Sequence, residues 1–233
     1  MQPIEKFANL PILTLPGKWT ITTKSTIAQI QQVLGTIQED AANANAIPVV
    51  VGMDVEWNVD LTPGYSQQGK PAIIAIAYQS QIYILQIAEF LKQGNLPVAL
   101  KNFLLNPNIL KVGQNIGSDL KHLQNATNVD LSSTNFLDIA QLAKARQVIK
   151  IATTSLAELS ALVLKHCMDK DQSIRVSTQW EAKILSEEQK EYVAVDAFAH
   201  LTIYQKLIEV PEPGELPETP YSWTFGFCIS RRW

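Results

Sequence analysis

The sequence predicts a single α/β domain in which helices cover the faces of a mixed β-sheet. A continuous apolar run, Ile47–Trp57, is typical of a strand that is covered on both faces of a sheet. Two further strand patterns, Ala72–Tyr78 and Gln81–Ile87, follow in direct succession, and strands of this kind usually pair as antiparallel neighbours. From there on helical and strand patterns alternate, which adds helices to the sheet. The chain has 233 residues, of which 46% are hydrophobic, so it can bury one proper core.

The elements before the second of these strands follow in order. Residues 1–18 contain three prolines and are predicted to form an irregular N-terminal extension. Trp19–Thr23 has the composition of a short strand, and the apolar spacing within Ser25–Asp40 predicts a helix. The polar and glycine-containing segment Thr62–Lys70 predicts a loop between two strands.

The second half of the chain is predicted to alternate helices with one short strand. The predicted helices are Val98–Leu105, Ile116–Gln124, Leu137–Ala145 and Ser155–Cys167, and the predicted strand is Ile109–Val112. Ser186 with Gln189 forms a capping-box pattern, which predicts the start of a long helix that runs to about Glu209. Residues 211–233 are first Pro-rich and then aromatic, so they are interpreted as a tail beyond a domain that spans residues 19–210.

Composition excludes several classes of protein. The net charge of −3 argues against a protein that holds duplex nucleic acid by neutralising many phosphates. The two cysteines, Cys167 and Cys228, form neither a disulfide framework nor a zinc motif. We find no secretory signal and no apolar run long enough to span a membrane, so a nuclear or cytoplasmic protein is expected, not a secreted one.

Two carboxylates stand near the end of the buried strand. Asp54 and Glu56 are two positions apart, and side chains at this spacing in a strand point to the same face. Like charges on one face repel and lose hydration, and a divalent cation would remove that cost. The alternative is that the strand has ended and both acids are solvated, and the motif alone does not decide between the two.

Two later motifs carry further acids. Asp119 lies in the first turn of a predicted helix, where capping of the exposed amides is the simplest explanation. Tyr192 and Asp196 are four positions apart in an Ala- and Val-rich helix, so they share one face of it. A buried Asp needs a partner or a metal, and the local alternative to a metal is an ion pair between Asp196 and His200.

Taken together, these motifs form an ordered set: D-x-E on a strand, D at a helix start and Y-x-x-x-D on a late helix. This order resembles the DEDD exonuclease superfamily in its Tyr-containing branch, because Glu191 stands where the other branch has a histidine. The segments VVVGMDVEW, KVGQNIGSDLKHL and DQSIRVSTQW, with the late helix, are similar to the exonuclease domain of the Werner-syndrome helicase family. Ribonuclease D is the more distant relative. The resemblance covers roughly residues 19–209.

The resemblance implies a ribonuclease H-like fold, with a mixed five-stranded sheet between helices, and a metal-dependent 3′-5′ exonuclease. In that family four acids hold two Mg²⁺ or Mn²⁺ ions, and nucleoside 5′-monophosphates leave the 3′ end of a nucleic acid by a two-metal-ion mechanism. By resemblance Asp54 bridges both ions, Glu56 and Asp196 complete the first site, and Asp119 serves the second. Tyr192 orients the attacking water, with direct base action as the alternative.

Further expectations concern the substrate and the partners. Trp57 is a candidate to stack on a terminal base, and Lys121 and Arg175 are candidates to bind the strand backbone, each against a purely structural alternative. The Werner-like flanks favour DNA, with ribonuclease D-like trimming of RNA as one alternative and an inactive nucleic-acid or protein binding module as another. The sequence has no GxxxxGK[ST] phosphate loop, so a helicase or repair partner would be a separate polypeptide.

Overall fold

Six strands form one mixed sheet in the computed structural model, which describes residues 7, 9–44, 47–60, 67–127, 129–168 and 179–213. In chain order the strands are β1 (Thr20–Lys24), β2 (Val49–Asp60), β3 (Gln67–Tyr78), β4 (Gln81–Gln86), β5 (Ile109–Gly113) and β6 (Phe136–Asp138). Their order across the sheet is β1-β4-β3-β2-β5-β6. Only β3 pairs antiparallel with its two neighbours, β2 and β4, and the other pairs of strands are parallel.

Helices lie on both faces of this sheet. They are α1 (Ile27–Asn43), α2 (Ala88–Lys92), α3 (Val98–Leu105), α4 (Ile116–Thr127), α5 (Ile139–Ala145), α6 (Leu156–Leu159) with the π-helical turn Ser160–Leu164 after it, and α7 (Glu187–Ile208). One hydrophobic cluster joins α1, α3 and α4 to one face of the sheet. A second cluster joins α5, α6 and α7 to the opposite face. The predicted α/β class is therefore confirmed, with the core in two layers.

The sheet has six strands where the resemblance implied five, and the short edge strand β6 was not predicted from the sequence. The residues of β6 include the first two of the predicted helix Leu137–Ala145, and that helix begins at Ile139. The predicted loop Thr62–Lys70 is also shorter than expected. Strand β2 continues to Asp60 and β3 already begins at Gln67, so part of the polar segment pairs as a hairpin.

Two other predicted elements differ from the structure in detail. The predicted helix Ser155–Cys167 ends at Leu164, because Lys165 adopts a left-handed conformation with φ of 59°. In the N-terminal extension, which was predicted to be irregular, Ile12 forms a β-bridge with Cys167. The capping box is confirmed: Ser186 and Gln189 exchange hydrogen bonds at the start of α7.

Helix α7 lies directly against β2, and a glycine permits this approach. A Cβ atom at Gly52 would overlap the carbonyl oxygen of Ala197 and lie 2.8 Å from the backbone nitrogen of Leu201. One residue further along the strand, the buried ring of His200 donates from Nδ1 to the carbonyl oxygen of Met53 over 2.8 Å. These contacts place the polar residues that follow Met53 in β2 beside the residues that precede Ala197 in α7.

Candidate metal and active site

Three carboxylates meet where β2 and α7 are in contact. Asp54, Glu56 and Asp196 each offer one oxygen, and these oxygens lie within 4.8 Å of one another. Side chains alternate along β2, so Asp54 and Glu56 lie on the same face of the sheet. Asp196 lies beside them because Gly52 allows α7 to pack closely against β2. The predicted pairing of strand and helix acids is therefore realised in the structure.

The carboxyl of Asp54 in this group has a strongly perturbed pKa. Burial raises the pKa of its carboxyl well above the ordinary value, and the charges of Glu56, Asp196 and Asp119 raise it further. The Oδ2 atom of Asp54 is buried and has no hydrogen-bond partner among the residues that the structure describes. A buried carboxylate oxygen that lacks a partner costs free energy, and a divalent cation would supply the missing positive charge.

The donor set fits a hard divalent cation. All three members offer carboxylate oxygens, which are the ligands that Mg²⁺ and Mn²⁺ prefer. No histidine or cysteine belongs to the cluster within the described part of the chain, so it lacks the usual chemistry of a zinc site. The acidic cluster is therefore suited to divalent-metal binding.

Asp119 lies close by but outside this three-carboxylate group. It lies in the first turn of α4, and its charge contributes to the raised pKa of Asp54. Burial, followed by the charge of Asp138, raises the pKa of Asp119 to about 7. A carboxylate that caps a helix accepts hydrogen bonds from backbone amides, which lower its pKa, so the raised pKa of Asp119 does not fit a simple capping role.

Asp138 is a neighbour of the site that the sequence interpretation missed. Its Oδ1 accepts hydrogen bonds from the amides of Ala140 and Gln141, and its Oδ2 accepts one from the amide of Asn115. It caps the N-terminus of α5 and ties this helix to the loop that precedes α4, the helix of Asp119. An Asp at the start of the predicted helix Leu137–Ala145 was the available signal.

The structure argues against the ion pair between Asp196 and His200. Burial lowers the pKa of His200 to about 4, so the ring is neutral at pH 7. Its Nδ1 is bonded to the Met53 carbonyl, as described above. His200 therefore joins α7 to β2 and does not supply a positive charge to Asp196.

Tyr192 lies one helical turn before Asp196 on α7 and is partly buried. The centroid of its ring is 6.1 Å from that of Trp180, with an angle of 45° between the two planes. The helix thus presents a phenol and a carboxylate at successive turns, as their four-residue spacing predicts.

The weaker candidates lie in different settings. Trp57 packs edge-on against His122, with ring centroids 4.8 Å apart, and it contacts the cluster on the face opposite α7. Lys121 is exposed on α4. Arg175 lies outside the described residues, as do residues 214–233 of the predicted tail.

Comparison with known proteins identifies the family. A model of the 3′-5′ exonuclease family matches residues 22–210 of the chain. The chain belongs to this 3′-5′ exonuclease family. It is 33% identical over 201 residues to the bifunctional 3′-5′ exonuclease/ATP-dependent helicase WRN of Mus musculus. The aligned region covers 85% of this chain but only 13% of that relative.

Solved structures support the fold of the exonuclease. The catalytic core of RRP6 from Trypanosoma brucei superposes with a TM-score of 0.64 at 18% identity, over 86% of this chain and 50% of that one. Escherichia coli RNase D, described as an exoribonuclease involved in structured RNA processing, gives 0.61 at 21% identity, over 82% of this chain and 44% of that one. At these identities the likeness concerns the ribonuclease H-like fold.

Among the described residues, no helix has the length and apolar character that a membrane crossing needs.

Proposed function

We propose that this exonuclease removes nucleoside 5′-monophosphates from nucleic-acid 3′ ends with two divalent cations, Mg²⁺ or Mn²⁺. Asp54, Glu56 and Asp196 would hold one ion, and Asp54 with Asp119 the other. Bound there, such ions activate a water and stabilise the leaving 3′ oxygen. The observation that carries this proposal is the buried Oδ2 of Asp54, which lies in a cluster of carboxylates and has no hydrogen-bond partner within the described part of the chain.

Tyr192 has a separate task in this proposal. Its phenol, one turn from Asp196, would hydrogen-bond the attacking water and hold it in line with the scissile bond. A hydroxyl can both donate and accept, so it can fix the direction of the water's lone pair without removing a proton itself.

DNA is the substrate that we favour. The support is the 33% identity to the mouse exonuclease/helicase and the Werner-like sequence flanks. The alternative, RNA trimming, draws on the likeness to RRP6 and RNase D, which is a likeness of fold. We further propose that residues 19–210 form the exonuclease domain.

Strand degradation tests the proposal. Purified protein is incubated with matched 3′-recessed DNA and RNA strands, each labelled at its 3′ end, in Mn²⁺ or in EDTA. We expect metal-dependent release of labelled nucleoside 5′-monophosphate, faster from DNA. Strands that stay intact over hours in Mn²⁺ would refute the nuclease proposal, and faster release from RNA would reverse the choice of sugar.

Asp130→Asn and Asp54→Asn form a matched pair for the same assay. Asp130 is an exposed carboxylate in the loop after α4, so its substitution is expected to leave the rate unchanged. Asp54→Asn is expected to reduce release to background. Loss of activity in both variants would point to a general effect on charge or folding.

A further inference from the structure

Asn58 continues the row of polar residues that faces α7. Side chains of β2 alternate between the two faces of the sheet, and Met53, Val55 and Trp57 belong to the hydrophobic cluster on the face opposite α7. Asn58 therefore lies on the same face as Asp54 and Glu56, next beyond them. The register between β2 and β3 shifts on either side of Trp57, and such irregularities often occur beside active sites.

The Asn58 side chain has a specific partner on the α7 side. Its Oδ1 accepts a hydrogen bond from the backbone amide of Trp180 over 2.7 Å. Trp180 is fully buried, with 0% of its surface exposed, and it belongs to the hydrophobic cluster that contains α7. A buried amide needs an acceptor, so this bond fixes the position of the Trp180 backbone.

Trp180 in turn packs against the proposed water-orienting residue. The centroid of its ring lies 6.1 Å from that of the Tyr192 ring, a distance typical of packed aromatic pairs. The contacts thus run from the metal-binding strand through Asn58 and Trp180 to the phenol. Nothing in this sequence of contacts involves the carboxylates, so it can set the phenol's position without changing the ligands of the cations.

We propose that Asn58 is a positioning residue for the exonuclease reaction, which acts by holding Trp180 against Tyr192. This inference rests on the proposed function. Without the Asn58 acceptor, Trp180 shifts to find another partner for its amide. The indole ring against which the phenol of Tyr192 packs then moves as well. Small displacements of an orienting group reduce the turnover rate more than they reduce substrate binding.

A cycle of variants separates this role from a merely structural one. Asn58→Leu keeps a similar volume but removes the acceptor, and it is measured in the parent and in Tyr192→Phe. We expect kcat of Asn58→Leu to fall about tenfold in the parent, with KM nearly unchanged. In the Tyr192→Phe background, where no phenol remains to be positioned, the same substitution should change kcat by less than about twofold.

Controls make the outcome unambiguous. Asn102→Leu, an exposed Asn→Leu change on α3, is expected to leave kcat unchanged in both backgrounds. Mn²⁺ affinity is expected to be equal in the parent and in Asn58→Leu. Equal losses of kcat in both backgrounds, or a parallel loss of Mn²⁺ affinity, would overturn the proposal.

Trp180→Phe is the second variant, for the case that Asn58→Leu does not fold. It keeps the backbone amide and its bond to Asn58 but reduces the ring that faces Tyr192. Its effect on kcat should likewise vanish in the Tyr192→Phe background, and an effect that persists there would also overturn the inference. Absence of nuclease activity in the parent would instead refute the proposed function, which keeps the two failures distinct.

Discussion

The ionisation of Asp119 predicts a pH dependence of stability that can be worked out from the structure. Burial and the charge of Asp138 raise the pKa of this carboxyl from 3.8 to about 7 in the metal-free protein. Between these two values the folded protein binds more protons than the unfolded chain. The contribution of Asp119 to the free energy of unfolding therefore falls as pH rises from about 4 to about 7, and is constant outside this range.

The size of this effect follows from the two pKa values. The difference between 3.8 and about 7, at about 1.4 kcal/mol per pH unit, corresponds to about 4 kcal/mol. This is an upper bound, because water reaches part of the carboxylate and screens its charge. Asp119→Asn cannot ionise, so it should gain stability over the parent by up to this amount across that pH range.

Urea unfolding in EDTA at several pH values measures the difference. The gain of Asp119→Asn over the parent should grow between about pH 4 and pH 7 and then level off. Asp130→Asn is the control: the amide of Ser132 lowers the pKa of this exposed carboxyl, so no such gain is expected. A difference between Asp119→Asn and the parent that is the same at every pH would show that the pKa of Asp119 is not raised in the folded protein. In saturating Mn²⁺ the parent should become the more stable protein, since the ion needs the ionised carboxylate.

Three further substitutions test other parts of the structure. Tyr192→Phe should reduce kcat by about 100-fold and leave Mn²⁺ affinity unchanged, as steady-state kinetics and a Mn²⁺ titration would show; equal kcat would remove the phenol from the mechanism. Gly52→Ala should lower the free energy of unfolding by about 3 kcal/mol, because its Cβ would overlap the Ala197 carbonyl. Gly35→Ala, in the middle of α1 with nothing within 4 Å of the added atom, should instead raise it by up to about 1 kcal/mol, and urea unfolding checks both signs.

The acids of the site were predictable where they share one element. A spacing of two in β2 placed Asp54 with Glu56, and a spacing of four in α7 placed Tyr192 with Asp196. No local sequence pattern predicts that β2 and α7 pack against each other. The close approach depends on Gly52, and a single glycine in an apolar run does not reveal which helix will lie against it.

Other features could not be predicted because they depend on tertiary contacts. Strand β6 has three residues, too few for a periodic pattern, so the effect of the Asp138 charge on Asp119 was not foreseen. His200 was considered as a cation because it lies one helical turn from Asp196, where the sequence has no Lys or Arg. Its burial, which keeps the ring neutral, arises from the packing of α7 on β2.

Equilibrium Mn²⁺ binding tests whether the carboxylate cluster holds divalent cations. The parent, Asp54→Asn and the control Asp130→Asn are titrated with Mn²⁺ under electron paramagnetic resonance, in the presence of a nucleoside 5′-monophosphate. We predict two bound ions in the parent and in Asp130→Asn, and loss of both in Asp54→Asn, because the side chain of Asp54 would hold both. Mn²⁺ binding by Asp54→Asn that equals that of the parent would contradict this prediction.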